Sequence, residues 1–359
     1  MNAFISQLDI QTFRGIRNLG LENLANVNVL VGANNSGKTS VLEAIRFLSN
    51  PQDMGQITNF AFLRAPISKE LRSQRLVEYV STLYHKEIDE SDPSITHYSI
   101  GISANINNVR YEYTSSGNIE NLYDRLGDQN KLFLTSSKMQ IASKKPIYKE
   151  TTFVDQKISL QDKNQALPET PALDNSLFKS LYLHASLNYY RSCTTYISEA
   201  ILSNNKSELL QIIRSFDSSI QDISVINDGI YLHNKQTGAM PLFVYGMGLQ
   251  KAVLLAVTLL TNASGVILID EIDNAINMAA FKDVFPWFVK KCEELNIQTF
   301  VTTHSAEAID AILSCKTEMD SIRIITLRKS PDMHCTIAKV RTGDEAISDR
   351  KTFGAELRV

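Results

Sequence analysis

A glycine-rich segment near the start of the chain has the residue types and spacing of a phosphate-binding loop. Residues 32–39 read Gly-Ala-Asn-Asn-Ser-Gly-Lys-Thr, which fits G-x-x-x-x-G-K-[ST] at every fixed position. A phosphate chain must lie against backbone N–H groups, and Gly32 and Gly37 permit this because they carry no Cβ. Apolar residues 27–31 precede the loop and an apolar-periodic segment follows from Val41. The order strand, loop, helix predicts a nucleotide site.

The residues of this loop have different expected parts in binding phosphates and a metal ion. The helix that starts near Lys38 directs its positive dipole end and its unpaired N–H groups at the anion. Lys38 is expected to reach the β- and γ-phosphates, and the Thr39 hydroxyl is expected to ligate Mg²⁺. The predicted nucleotide-binding residues here are Gly32, Asn34, Asn35, Ser36, Gly37, Lys38, Thr39 and Ser40.

Two adjacent carboxylates end a second apolar strand much later in the chain. Residues 266–269 lead directly into Asp270 and Glu271. In a phosphate-binding sheet, Asp270 would hold Mg²⁺ through water and Glu271 would polarise the water that attacks the γ-phosphate. His304 ends the next predicted strand, at the carboxyl edge where α/β sheets bind ligands. It is expected to touch the γ-phosphate or the attacking water.

A second glycine pair precedes the predicted helix 249–260. Gly246 and Gly248 lie just before its N-terminus, where unpaired N–H groups can bind an anion. Residues 32–40 already bind the nucleotide of the same subunit, so this second site would serve a nucleotide on another subunit. On spacing alone, a loop that merely needs flexibility remains the alternative.

Composition and charge describe an ordinary globular protein. The chain has 359 residues, enough for one large or two small domains, and 43% are hydrophobic. Its 36 basic and 39 acidic residues give a net charge of −3, so no overall basic field attracts DNA or anionic lipid. The four cysteines show no metal-binding spacing and are expected to be free thiols in a reducing compartment. No signal peptide or membrane-spanning apolar run is found, which predicts a cytoplasmic protein without a membrane partner.

Strands alternating with helices predict an α/β fold with a parallel sheet, and strand pairs predict an antiparallel flank. Hairpins are expected through Asn107-Asn108 and through Asp228-Gly229. Residues 135–176 predict a long surface insertion, and residues 177–216 predict a return to helix. The domain prediction is an N-terminal half of one head (1–135), an insertion with a helical arm (136–216) and a C-terminal half (217–359).

The order of these motifs resembles the ABC-type, AAA-family ATPases of the SMC and RecF group. More narrowly, it resembles the ATPase module of the OLD (overcoming-lysogenization-defect) family and its stand-alone relatives in bacterial anti-phage systems. The resemblance covers about residues 1–50 and 220–315. The segments that carry it are 13–15 (Phe-Arg-Gly), 32–39, 246–251 (Gly-x-Gly-x-Gln-Lys), 268–274 (Leu-Ile-Asp-Glu-Ile-Asp-Asn) and 302–305 (Thr-Thr-His-Ser).

The resemblance implies a role for each motif. Residues 32–40 would be the Walker A loop, Asp270 and Glu271 the Walker B pair, His304 the switch histidine, and residues 246–251 the signature motif. Arg14 matches a position that can approach the nucleotide. ATP, with Mg²⁺, would lie between two heads, so hydrolysis would require a homodimer or a higher oligomer. The implied fold is a P-loop ATPase head with a mixed sheet and an inserted helical arm.

Two departures from the family pattern bear on the rate of hydrolysis. Val244 and Tyr245 occupy the neighbourhood of the usual signature serine, and Asn277 stands where Asp or His is usual. Both put hydrolysis in question more than nucleotide binding, so turnover is expected to be slow. Many OLD proteins also carry a Toprim nuclease, for which the stretch after His304 is too short. An effector of that kind is therefore expected to be a separate protein.

Three functions remain open from the sequence. The first is an ATPase sensor or scaffold of an anti-phage defence system that controls such an effector and responds to a phage trigger. The second is a RecF-like repair ATPase that clamps duplex DNA, for which the lysine cluster within residues 137–149 is the local basic feature. The third is an ATP-locked structural protein that scarcely turns over.

Overall fold

The structure, a computed structural model, describes most of the chain. The described residues are 4–51, 57, 60–62, 64, 75–89, 91, 92, 96–123, 129–143, 151–161, 176–185, 197–202, 205–227, 229–262, 265–315, 319–331, 335–353 and 356–358. They divide into two compact units. The first consists of Met1–Leu24, Asn34–Lys179 and Leu327–Val340, and the second of Ala25–Ala33, Ser180–Thr326 and Arg341–Val359.

Strands and helices alternate between Met247 and Lys329, whereas strands predominate before that stretch. The strands are β1 (Ile5–Phe13), β2 (Ile16–Leu21), β3 (Val27–Val31), β4 (His85–Ile88), β5 (Thr96–Ile106), β6 (Val109–Tyr123), β7 (Gln129–Ser143), β8 (Thr151–Gln161), β9 (Ser180–Leu183), β10 (Ile220–Ile226), β11 (Gly229–Asn234), β12 (Gly238–Pro241), β13 (Val266–Ile269), β14 (Gln298–Thr302), β15 (Ile322–Lys329) and β16 (Thr336–Thr342). The helices are α1 (Lys38–Ser49), α2 (Leu76–Ser81), α3 (Lys206–Phe216), α4 (Met247–Thr261), α5 (Met278–Glu294), α6 (Ala306–Leu313) and α7 (Gly343–Phe353).

The first unit contains an antiparallel sheet in the order β2-β1-β5-β6-β7-β8, with β4 paired to β5. Helix α1 packs on it through aromatic contacts. The rings of Phe13 and Phe47 lie 5.7 Å apart, and those of Phe47 and Tyr113 lie 5.2 Å apart. These contacts fix the helix that follows the phosphate-binding loop.

The second unit contains the parallel sheet that positions the site. Strands β15, β3, β14, β13 and β9 are neighbours in that order and pair in parallel. Strands β3, β13 and β14 are buried along their whole length. Such runs need cover on both faces, which is typical of parallel strands in α/β folds. The same unit also contains a separate three-stranded sheet in the order β10-β11-β12.

The predicted α/β class with a parallel sheet and an antiparallel flank is confirmed. The hairpin through Asn107-Asn108 is also confirmed, with Ile106 opposite Val109 and positive φ at both turn residues. The hairpin of β10 and β11 forms as predicted, although Asp228 in its turn lies outside the described residues.

The prediction for residues 136–216 needs correction. As far as Gln161, its described part is β7 and β8, which extend the antiparallel sheet, so it is a ribbon of strands and not a helical arm. Residues 180–183 were predicted as helix, but they form β9, with Ser180 opposite Val266. A run of four residues is too short for its periodicity to separate strand from helix. Of the lysine cluster, Lys138 lies in β7, whereas residues 144–149 are outside the described part.

None of the helices among the described residues is long and apolar enough to cross a membrane.

Candidate functional site

Residues 32–40 adopt a conformation that only certain residues accept. Gly32 has a φ of 144° and Gly37 a φ of 104°, where side chains with a Cβ are strained. A Cβ on Gly37 would also lie 3.3 Å from Cγ1 of Ile16. Asn35 has a φ of 60°, in the left-handed region that asparagine tolerates. The loop therefore bends sharply, with Ala33, Asn34 and Asn35 exposed at its tip.

The end of the loop is suited to an anion. Helix α1 begins at Lys38, so Lys38, Thr39 and Ser40 form its first turn, where N–H groups lack helical partners. The Ser36 hydroxyl is buried, with 3% of the residue exposed, and meets no hydrogen-bond partner among the described residues. A buried hydroxyl of this kind is costly unless a ligand supplies a partner. A phosphate oxygen fits that requirement.

Arg14 does not extend freely from its turn. Its Nε lies 2.7 Å from Oε2 of Glu43, a fully buried carboxylate on α1, and Nη2 of Arg64 lies 2.6 Å from the same oxygen. Arg64 also donates to the Ser40 hydroxyl at 3.1 Å. Both arginines are drawn to α1 because a buried carboxylate requires charge compensation. Contact between Arg14 and a nucleotide remains a prediction.

The acidic pair sits where the sequence predicts, directly after β13. The Thr302 hydroxyl, on neighbouring β14, donates to Oδ1 of Asp270 at 2.7 Å and accepts the N–H of Glu271 at 2.8 Å. The N–H of Ile272 reaches the carbonyl of Thr302 at 3.0 Å. These bonds fix the orientation of Asp270 and the backbone of Glu271. The sequence analysis named Thr302 within the 302–305 motif but predicted no part for it in the site.

The turn after the pair, residues 270–277 (the acidic turn), contains unusual backbone. Glu271 has a φ of 51° and Ala275 a φ of 67°, both in the left-handed region. Asn274 donates to Oε2 of Glu271 at 3.3 Å. Asn277, the residue that departs from the family pattern, caps α5 by accepting the N–H of Ala279 at 3.0 Å. The side-chain oxygen of Asn277 is therefore used to cap the helix.

His304 follows β14 and is exposed. Its carbonyl accepts a hydrogen bond of 2.8 Å from Nη1 of Arg358. On either side, Thr303 donates to Asp273 at 2.5 Å and the Ser305 hydroxyl caps α6 by accepting the N–H of Ala308 at 3.0 Å. The backbone around the histidine is thus fixed while its side chain reaches solvent.

Parallel strand order brings part of the predicted site together. Gly32, Asp270 and Thr303 each follow one of the neighbouring strands β3, β13 and β14, at the same carboxyl edge. The N–H of Thr303 also reaches the carbonyl of Leu30 at 3.3 Å. This edge is where α/β sheets bind ligands.

The second glycine pair, residues 246–248 (the glycine loop), precedes α4 as predicted. Gly246 is the N-cap residue and offers no side-chain cap. The N–H groups of Leu249 and Gln250 donate to its carbonyl, so those of Met247 and Gly248 are the ones that could meet an anion. A Cβ on Gly248 would lie 2.9 Å from the carbonyl oxygen of Ala275. Glycine is required at 248 by this close approach to the acidic turn. At Gly246 no atom is near enough to demand it.

Large apolar side chains surround the glycine loop. Phe243, Val244, Met247 and Met278 are each more than half exposed. Exposed apolar groups of this size, gathered near one motif, are typical of an interaction surface. Val244, which lies in the neighbourhood where the family usually has the signature serine, belongs to this set.

Solved structures share this architecture. An SMC head bound to the C-winged helix domain of ScpA matches with a TM-score of 0.51 and 12% identity, over 96% of this chain and 99% of that one. An SMC head with an extended coiled coil bound to the C-terminal domain of ScpA, from Pyrococcus furiosus, matches with a TM-score of 0.50 and 11% identity, over 98% and 100%. This likeness shows that the chain has the fold of an SMC head.

The chain belongs to the family described as "AAA domain, putative AbiEii toxin, Type IV TA system", whose model matches residues 27–310. An "ATP/GTP phosphatase" of Helicobacter pylori is 24% identical over 344 residues, which is 86% of this chain and 87% of that protein. The DNA replication and repair protein RecF of Nitrosococcus oceani is 40% identical over 76 residues, about a fifth of each chain. The predicted ATPase class is thereby confirmed.

Proposed function

We propose that this protein hydrolyses ATP slowly between two copies of itself, as the sensor and scaffold subunit of a cytoplasmic anti-phage defence complex. ATP-held oligomers would keep a separately encoded effector, such as a Toprim nuclease, bound until a phage trigger changes the assembly. Residues 1–135 and 217–359 would form the ATPase head, with 136–216 as its insertion.

The proposed chemistry assigns one task to each group. Lys38 and the N–H groups of residues 32–40 would bind the phosphates, while Thr39 and Asp270 would hold Mg²⁺, which supplies charge neutralisation when bound. Glu271 would accept the proton of the attacking water, and His304 would contact the γ-phosphate. The observation that carries hydrolysis is the Thr302 hydroxyl, which orients Asp270 and the Glu271 backbone at once.

The two-copy arrangement rests on the glycine loop and its surroundings. The uncapped start of α4 can bind an anion, yet residues 32–40 already provide the phosphate site of the same copy. The exposed apolar residues around the loop, among them Phe243 and Met247, fit burial against a second copy. Slow turnover follows from the missing signature serine, because Val244 and Tyr245 leave the contact across the interface to backbone N–H groups.

The defence role rests on the resemblance to the OLD group. Partner binding by heads of this fold has a parallel in the solved SMC heads, which are bound to ScpA domains. The RecF match favours a second candidate, an ATPase that clamps duplex DNA. A clamp requires a basic surface and strongly salt-dependent binding, whereas the chain as a whole is mildly acidic.

One experiment separates the two candidates. The chain is purified alone and together with the product of its neighbouring gene, and is examined by gel filtration with mass detection, with and without ATP. Glu271→Gln serves to trap the ATP state. A large ATP-dependent assembly that retains the neighbour supports the sensor and scaffold role.

The opposite result is equally clear. A simple ATP-dependent dimer that ignores the neighbour, but shifts duplex DNA at physiological salt, rejects the scaffold and favours the clamp. Binding to DNA is measured across a salt series, because a specific clamp must survive ionic strength that removes weak phosphate contacts.

A further inference from the structure

Helix α4 touches the acidic turn at two points. The first is Gly248, whose missing side chain lets the helix approach the carbonyl of Ala275. The second, one turn further along, is Lys251, whose Nζ donates a hydrogen bond to the carbonyl oxygen of Glu271. The helix that begins at the glycine loop is therefore in contact with the turn that carries the predicted general base.

The turn needs support from its surroundings. Glu271 and Ala275 both have positive φ, a conformation that costs energy for any residue with a Cβ and persists only where neighbouring contacts maintain it. Thr302 holds the N–H of Glu271 from β14. Lys251 holds the carbonyl of the same residue from α4. The peptide groups on both sides of the strained residue are thus bound by two different elements.

Lys251 itself is placed unusually for a lysine. Only 3% of the residue is exposed, and burial lowers the pKa of its ammonium group to about 8. The charges of Asp273, Glu271 and Asp270 act in the opposite direction and raise that pKa. A lysine buried next to three acidic residues is well placed to offset their mutual repulsion. Its surroundings also include a small cavity lined by His184, Asp270 and aliphatic side chains.

We propose that Lys251 is a positioning residue that holds Glu271 in its strained conformation and couples the start of α4 to the general base. This inference rests on the proposed hydrolysis at Glu271. Movement of the glycine loop, when a nucleotide of a second copy binds there, would reach Glu271 through three residues of helix. Lys251 is not required to touch the nucleotide.

The test replaces Lys251 by Met, which keeps the aliphatic stem and removes the donor. Thr258→Val is the matched control, since the Thr258 hydroxyl is buried on the same helix and meets no hydrogen-bond partner among the described residues. Both variants are compared with wild type in ATP binding, kcat, KM and thermal unfolding. Hydrogen–deuterium exchange of a peptide covering residues 268–277 reports the acidic turn without requiring turnover.

If the inference holds, Lys251→Met lowers kcat by about 10- to 100-fold, the effect expected when a reacting group is displaced by about 1 Å, and leaves KM within about twofold. Exchange in residues 268–277 rises, while that of α4 is unchanged. In a Glu271→Gln background, Lys251→Met lowers the residual rate no further, because both act through one group. Thr258→Val behaves as wild type in each measurement.

Other outcomes overturn the inference. A raised KM with unchanged kcat means that Lys251 contacts nucleotide, and unchanged exchange in 268–277 means that it does not hold the turn. If Lys251→Met fails to fold, Lys251→Leu, which also lacks the donor, is measured in its place and must show the same two changes. If the wild type does not hydrolyse ATP, the proposed function is rejected instead. Hydrogen–deuterium exchange of residues 268–277 would still decide whether Lys251 holds the turn.

Discussion

Thr302 and Asp270 are joined across neighbouring parallel strands by a hydrogen bond of 2.7 Å, in which the hydroxyl donates to Oδ1. Because a hydroxyl has one proton and two lone pairs, the same group can also accept the N–H of Glu271. A single side chain therefore orients the predicted metal-binding carboxylate and the backbone of the predicted general base. The two strands are adjacent in the sheet, but Thr302 and Asp270 are 32 residues apart in the chain.

Replacing Thr302 by Val tests this arrangement. Valine has the same shape but no hydroxyl, so Asp270 loses a donor and the Glu271 N–H loses its acceptor. We expect kcat to fall by about 10- to 100-fold and the free energy of unfolding to fall by about 1–3 kcal/mol. Thr302→Ser retains the hydroxyl and is the control. A Thr302→Val protein with the turnover of wild type, or a Thr302→Ser protein as impaired as Thr302→Val, would show that the hydroxyl does not carry the effect.

Removing the predicted general base separates an enzyme from an ATP-locked structural protein. Glu271→Gln keeps the size of the side chain but cannot accept a proton, so turnover should fall by about 10²- to 10⁴-fold while ATP binding is retained. Steady-state hydrolysis and ATP affinity are measured together. Glu294→Gln, at a partly exposed ion pair with Lys291, is the control. Equal turnover in wild type and Glu271→Gln would favour the locked protein.

Arg358 offers a test of how His304, the predicted switch histidine, is held. Arg358→Met removes the donor to the His304 carbonyl, and we expect kcat to fall by about three- to tenfold, the loss of roughly 1 kcal/mol that one hydrogen bond contributes. Leu357, its neighbour, is fully buried and should keep residues 356–358 in place. Arg323→Met is the control, because Arg323 bonds the carbonyls of Asp320 and Ile322. A similar loss in both would show that His304 is not the cause.

The buried carboxylate of Glu43 predicts a stability effect at Arg14. Arg14→Met leaves Glu43 with Arg64 as its ion-pair partner among the described residues, and we expect the free energy of unfolding to fall by about 3 kcal/mol. Arg17→Met, which breaks an exposed pair with Glu87, should cost less than about 1 kcal/mol. Chemical denaturation measures both. If Arg14→Met lowers the free energy of unfolding no more than Arg17→Met does, the ion pair with Arg14 is not required to compensate the charge of Glu43.

The apolar residues near the glycine loop predict the strength of self-association. Replacing both Met247 and Met278 by Ser should weaken the ATP-dependent dimer at least about tenfold, because each methionine would lose a buried apolar contact. Sedimentation of the Glu271→Gln protein with ATP gives the dissociation constant. Leu202→Ser is the control, since Leu202 is also strongly exposed in the same unit. An unchanged dimer would place the interface elsewhere.

The sequence predicts local features of this protein better than distant contacts. The start of α1 at Lys38 and the hairpin turn at Asn107-Asn108 depend on neighbouring residues, and both are as expected. Thr302 and Lys251 were named within motifs, but their contacts could not be predicted, because their partners become neighbours only when β13, β14 and α4 pack together. Strand β9 was missed for a related reason: its four residues are strand because β13 provides the hydrogen bonds.

The candidate site shows the same difference between local features, which the sequence predicts, and distant contacts, which it does not. The conformation of residues 32–40 depends on the glycines within the motif, so the motif predicts the geometry of the loop. Arg14 was placed by resemblance near the nucleotide, but the buried Glu43, which no local pattern reveals, takes its guanidinium as an ion-pair partner. The roles of individual residues in hydrolysis remain predictions that the variants above address.

The contact between Gly248 and Ala275 has a consequence for how relatives of this protein can diverge. The 2.9 Å that separates a notional Cβ at 248 from the Ala275 carbonyl leaves no room for alanine unless the acidic turn moves. A residue larger than glycine at 248 therefore requires a different conformation of the acidic turn. Because Lys251 holds the present conformation, a relative with a larger residue at 248 should also have lost the lysine at 251. Position 248 is then a one-residue marker, readable in any new sequence, of whether this connection has been inherited.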